Sequence, residues 1–327
     1  MRPREREVVP VSHAPEASHA ATEIASQPAC WASAARLAPQ VSRLLPVPGE
    51  RVAVVGCGTS YHMALAYAGL REAAGHGLTD ARPASELDHR RGYDRYLFLS
   101  RSGTTSEVLA AAEELPPGSS ATGLTADPAS PLAQAVSTVD LSFAAEQSVV
   151  QTRFATSVLV LLRAHLGELS PASTQALAGQ ARQAVESPLP EQVMTSTHFT
   201  FLGRGWTVGI AHEAALKLRE AAQMWTESYF AAEVRHGPIS VLDRASFVWC
   251  FGPPPPGLAP DIEATGARFF TSDLDPLAQL VLAQRAAVEL ARSRDLDPDH
   301  PRNLSFSVVL GGTERSRGHD CTTPDGR

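Results

Sequence analysis

Three times along this chain a short run of β-branched and aromatic residues stops at glycine or serine and passes directly into a helical pattern. Arg51–Gly56 leads through Cys57-Gly58-Thr59-Ser60 into a helix from Tyr61 to about Ala74. Tyr96–Leu99 leads through Ser100-Arg101-Ser102-Gly103-Thr104-Thr105 into a helix over Glu107–Glu114. Thr197–Gly203 leads through Arg204-Gly205 into a helix over Val208–Glu220. Strand and helix in alternation predict parallel sheets with helices on both faces. Ligands of such sheets bind outside the carboxyl ends of the strands, where both hydroxyl-rich turns fall.

The first turn, G-C-G-T-S-Y, lacks the third glycine of a dinucleotide fingerprint, and no acidic residue stands at the end of an evident second strand. After Gly58, Thr59 and Ser60 instead place hydroxyls at a helix N-terminus, so that the three offer a site suited to a phosphate or a sugar hydroxyl and equally able to cap the helix. The second turn holds four hydroxyls, an arginine and a glycine in six residues, more than a cap needs. It predicts phosphate or sugar binding.

Gly203–Pro238 contains Lys217, the sole lysine of the 327 residues. On a helix, Glu213, Lys217 and Glu220 fall at spacings of four and three and share one face. Ile210, Ala211, Ala214, Ala215, Leu218 and Ala221 make most of the remaining surface apolar, as in a helix buried on several sides. Sixteen residues past Glu220, His236 precedes Gly237-Pro238, a pair that ends any regular element. Imidazole beside an acid-rich helix is a candidate proton carrier.

The run E-A-A-L-K-L-R-E followed by H-G-P resembles the sugar isomerase (SIS) family, including the isomerase half of glucosamine-6-phosphate synthase, over roughly Glu23–Val309. The family motif is E-G-A-L-K-L-K-E leading to K-H-G-P. The resemblance implies an α/β fold of two SIS-type parallel-sheet sandwich (flavodoxin-like) units in tandem. It implies aldose–ketose isomerisation or deamination of an amino-sugar or hexose 6-phosphate, with Glu220 shuttling the proton between C1 and C2. Lys217 is then an electrophilic or hydrogen-bonding partner near C1 or O1, and Glu213 positions it. His236, from a neighbouring subunit, opens the ring, so a homodimer is expected. The S-x-S-G-x-T pattern matches the family's phosphosugar loop at Ser100, Ser102 and Thr105, while Arg101 replaces the synthase's glutamine. Glu146–Phe154, expected as a helix that runs on through Leu166, resembles the segment closing the family's sugar pocket and offers Glu146, Ser148 and Val149. Asp297–Val309 resembles the synthase's C-terminal loop, but Phe306 stands where the synthase has a lysine. That loop cannot form a Schiff base here, which favours simple isomerisation or ammonia-releasing deamination. A synthase-like reaction using free ammonia and a sugar-phosphate sensor without turnover are the alternatives.

The expected organisation is a disordered leader (1–20), a first SIS unit (21–168), a linker helix (169–192), a second SIS unit (193–310) and a tail (311–327). Pro28 splits the first helical stretch into two short helices. Four consecutive prolines in Gly252–Gly257 cannot continue a helix, so the second unit is expected to be trimmed. The net charge of −7, with no basic run, argues against nucleic acid. Cys30, Cys57, Cys250 and Cys321 show no metal or disulfide spacing. No metal or cofactor is expected. With no signal peptide or membrane span evident, the expected location is cytoplasmic.

Overall fold

The computed structural model describes residues 18–310, so the expected tail and nearly all of the expected leader lie outside the described residues. The chain opens with α1 (His19–Val41), capped by the Ser18 hydroxyl, which accepts from Ala21 N–H. The two short helices expected around Pro28 are instead one helix of 23 residues. A proline at position 28 deprives the Ile24 carbonyl of its helical donor. Gln27 Nε2 supplies one at 3.3 Å, and the packing of Ile24, Trp31 and Ala34 holds the helix straight through.

The first unit runs β1 (Val52–Gly56), α2 (Thr59–Ala73), β2 (Thr79–Pro83), β3 (Arg95–Leu99), α3 (Ser106–Glu113), β4 (Ser120–Thr125), α4 (Pro131–Ala135), β5 (Ser137–Asp140) and α5 (Arg153–His165). Its five strands are parallel in the order β2-β1-β3-β4-β5. After α6 (Pro171–Glu186) the second unit follows: β6 (His198–Gly203), α7 (Thr207–Ala222), β7 (Thr226–Phe230), β8 (Ser246–Cys250), α8 (Leu258–Glu263), β9 (Arg268–Phe270) and α9 (Pro276–Arg292). Its four parallel strands repeat the same order one strand short, β7-β6-β8-β9. Two flavodoxin-like units with the second trimmed are what the sequence resemblance implied. The proline run leaves α8 only six residues.

Two strands, β2 and β7, carry no apolar run and were not anticipated. Each is an edge strand, half-buried along most of its length. The expected helix over Glu146–Phe154 is also corrected: the chain is non-helical from Ala145 to Thr152 and α5 begins at Arg153. Glu23 on α1 holds this loop open, its carboxylate accepting from Gln147 N–H at 2.5 Å and Ser148 N–H at 3.3 Å. Those amides would otherwise join the helix.

In the first sheet Gly56 pairs with Leu99, so the turns after β1 and β3 emerge side by side where the strand order reverses. The two units share one core, which runs from Ile24 and Trp31 of α1 through Leu97 of β3 and Phe201 of β6 to Leu280 of α9. They meet closely where α2 crosses α7. A Cβ on Gly209 would lie 2.5 Å from the His62 carbonyl oxygen and 2.7 Å from Ala66 N. Gly209→Ala should therefore destabilise the fold by up to about 2 kcal/mol, because overpacking against backbone (roughly 1–3 kcal/mol) outweighs the gain in helix propensity (about 1 kcal/mol). Urea unfolding checks it; an unchanged midpoint would mean the helices separate freely.

Candidate active site

Lys217 sits on α7 with only 1 % of its side chain exposed. Its Nζ lies 2.5 Å from Glu220 Oε2, 3.3 Å from Glu213 Oε1 and 2.9 Å from the Thr59 hydroxyl on α2. The helical stripe read from the sequence is thus a buried cluster joined to the first unit. Burial works against the ammonium, but the charges and hydrogen bonds of Glu213 and Glu220 outweigh it and hold the Lys217 pKa above its ordinary value. Glu213 is fully buried, whereas Glu220 keeps 18 % of its side chain open. Burial raises the Glu220 pKa; Lys217 pulls it down, Glu213 adds to the rise, and Arg101 eases it. A carboxyl group whose pKa is raised in this way is suited to take up and return a proton.

Gly58 precedes α2 at φ +52°, a conformation glycine adopts without steric cost. Thr59 and Ser60 follow, both buried. The Thr59 hydroxyl also lies 3.2 Å from Glu213 Oε1, so it bridges acid and amine across the two units.

In the second turn Ser100 Oγ accepts from Gly103 N–H at 3.2 Å. Gly103 has φ +62°, and a Cβ there would strike Ser130 Oγ at 2.1 Å. Three hydroxyls of this turn converge on Ser307 Oγ: Ser102 at 3.1 Å, Thr104 at 2.9 Å and Thr105 at 3.4 Å. The N–H of Ser106, at the start of α3, donates to the Val308 carbonyl. The C-terminal segment therefore lies across the turn, an occupant the sequence did not reveal.

Arg101 is buried and internally committed. It pairs with Glu146 at 3.1 Å and donates to the carbonyls of Ser148, Val149 and Phe306 at 2.9–3.0 Å. The Phe306 ring lies 3.8 Å from its guanidinium carbon. Val149 N–H in turn donates to the Asp299 carbonyl. Arg101, Val149 and the C-terminal segment thus form one wall beside the hydroxyl turn.

His236 is exposed at the end of a short turn and makes no hydrogen bond or ion pair with Lys217 or Glu220. The described chain does not bring it into the cluster. A histidine that sequence reasoning passed over is there instead: His62, whose Nδ1 lies 3.0 Å from Glu213 Oε2. The available signal was its spacing, three residues beyond Thr59 and so on the same helical face. Among the described residues no group of three or more His, Cys, Asp or Glu could hold a metal ion, and no helix is long and apolar enough to cross a membrane.

No family model matches the chain. Its homologues are glutamine–fructose-6-phosphate aminotransferases (isomerizing), matched in their isomerase domain. That of Gloeobacter violaceus is 28 % identical over 316 residues, covering 80 % of this chain and 52 % of the relative. The chain spans about half the length of the curated relatives it matches. Among solved structures, a glucosamine-6-phosphate deaminase from Thermotoga maritima superposes with a TM-score of 0.76 at 25 % identity, covering 90 % of this chain and 100 % of the other. A tagatose-6-phosphate ketose/aldose isomerase from Escherichia coli shares the fold, with a TM-score of 0.75 at 18 % identity over 89 % of this chain and 99 % of the other.

The buried cluster makes a direct prediction. Lys217→Met retains the stem but leaves Glu213 and Glu220 without their ammonium, a loss of about 3–5 kcal/mol. Without the cation, the burial that already raises the Glu220 pKa is no longer opposed and holds it further above the unfolded value. The folded state then binds more protons, so stability falls as pH rises. Thermal melts should show a large deficit at pH 8 that shrinks towards pH 5; an equal deficit at both would refute the ionic account.

Proposed function

We propose that the protein transfers a proton between C1 and C2 of an amino-sugar or hexose 6-phosphate, as an aldose–ketose isomerase or an ammonia-releasing deaminase. The observation that carries this reading is the Glu220 carboxylate, partly open and 2.5 Å from a buried ammonium, in a chain whose homologues and structural likenesses are named as sugar-phosphate enzymes. With glucosamine 6-phosphate as substrate, Glu220 removes the C2 proton from the open-chain aldehyde and returns it to C1. Lys217 hydrogen-bonds O1 as negative charge develops there. The aldehyde carbon is reduced as C2 is oxidised to an imine, and water then releases ammonia to leave fructose 6-phosphate.

In this reading the phosphate is held by Ser100, Ser102 and Thr105, whose turn is walled by Arg101 and Val149. The sugar hydroxyls face the Gly58-Thr59-Ser60 turn, and Glu213 holds Lys217 in place. The exposed His236 acts as ring opener from a second copy, which makes the active species a cytoplasmic homodimer. Exposed apolar side chains on the same stretch of chain, Trp225 at 88 %, Phe230 at 54 % and Val241 at 55 %, support a partner there.

Incubation with glucosamine 6-phosphate should yield fructose 6-phosphate and ammonia in equal amounts, and Glu220→Gln should cut kcat by about 10²–10⁴-fold. Binding without turnover would favour the sensor reading, and turnover surviving Glu220→Gln would remove the assigned base. Since the substrate phosphate takes the place of the Ser307 hydroxyl, Ser307→Ala should lower KM for the sugar phosphate and leave kcat unchanged. A raised KM would make Ser307 a phosphate ligand instead.

A further inference from the structure

Glu213 is shared between the Lys217 ammonium and the His62 imidazole. One carboxylate oxygen lies 3.3 Å from Lys217 Nζ and 3.2 Å from the Thr59 hydroxyl, and the other lies 3.0 Å from His62 Nδ1. With Glu213 and Glu220 both ionised against one ammonium, the cluster carries an excess negative charge in a setting where burial already penalises Glu220. An imidazolium at His62 cancels that excess.

The other groups facing this pair from the packed helices do not. His212 on α7 lies 5.8 Å from His62, ring to ring, with Nδ1 2.8 Å from Ser228 Oγ. Burial first, then the charges of His62 and Arg219, push its pKa down to about 4, so it is neutral near pH 7. Tyr61 lies 6.0 Å from His62, ring to ring. Arg219 is an exposed residue that donates to Thr226 Oγ1, and Arg101 is already paired with Glu146. His62 keeps 16 % of its side chain accessible, enough to exchange protons with solvent. Its reach to Glu213 depends on the close approach of α2 to α7 over Gly209.

We propose that His62 is a positioning residue for the proton transfer: it holds Glu213 against Lys217 and, when protonated, supplies the second cation that lets Glu220 stand as a carboxylate base. This rests on the proton-transfer reading above.

The test compares wild type with His62→Asn, whose amide nitrogen mimics Nδ1 without the charge, and with His62→Ala. Carboxyl titration by NMR with ¹³C-labelled glutamate, with Glu220 assigned through Glu220→Gln, requires no turnover. In His62→Asn the Glu220 carboxyl should titrate about one pH unit higher, and the acid limb of kcat/KM should move by the same amount while melting stays near wild type. His62→Ala should show the same shift with an added loss of stability. If the carboxyl titration shifts but no sugar phosphate turns over in wild type, the charge coupling stands and the catalytic reading fails. If wild type turns over and neither the titration nor the pH profile moves in His62→Asn, His62 is a structural contact and the proposal is overturned.

Discussion

The ammonium of Lys217 is the constraint on which the rest of the arrangement turns. A buried cation requires compensation on every side, and this one finds it in Glu213, Glu220 and the Thr59 hydroxyl. Two of those groups come from its own helix and the third from the other α/β unit. Satisfying one charge therefore fixes the rotational setting of α7 and its docking on α2 together. Gly209, with the His62 carbonyl oxygen 2.5 Å from where a Cβ would sit, is the steric half of the same requirement.

The distribution of charge decides how an anion could be held. The only lysine is consumed in the cluster, and Arg101, the one arginine in the hydroxyl turns, is spent on Glu146 and three carbonyls. What remains at the carboxyl ends of β1 and β3 are hydroxyls and helix N-terminal amides, groups that favour an anion through dipoles rather than a full charge. The convergence of three hydroxyls on Ser307 Oγ shows the turn already organised around an oxygen atom. A chain of net charge −7 with such a turn is suited to a small anion rather than to a polyanion.

Where the sequence misled, the cause was local. The edge strands β2 and β7 are half-buried and so lack the continuous apolar run by which the central strands are recognised. Pro28 reads as a helix breaker, but Gln27 replaces the missing donor and α1 continues. Ala145–Thr152 reads as helix, but the Glu23 carboxylate, more than 120 residues away in sequence, captures its amides. The last is a distant partner overruling a local preference, whereas Pro28 is compensated from within its own helix.

The sequence by itself determined the alternation of strand and helix, the hydroxyl-bearing turns, and the single lysine flanked by acids at helical spacing. These depend on contacts within a few residues, where periodicity and composition carry the information. Only the tertiary structure decided that Lys217 is buried rather than solvated, that His62 and Thr59 meet Glu213, that Arg101 is locked into a wall, and that Ser307 lies in the hydroxyl turn. Each of those outcomes joins residues 45 to 205 positions apart. No local pattern encodes such pairings; they follow from the register of two sheets and the crossing of α2 on α7.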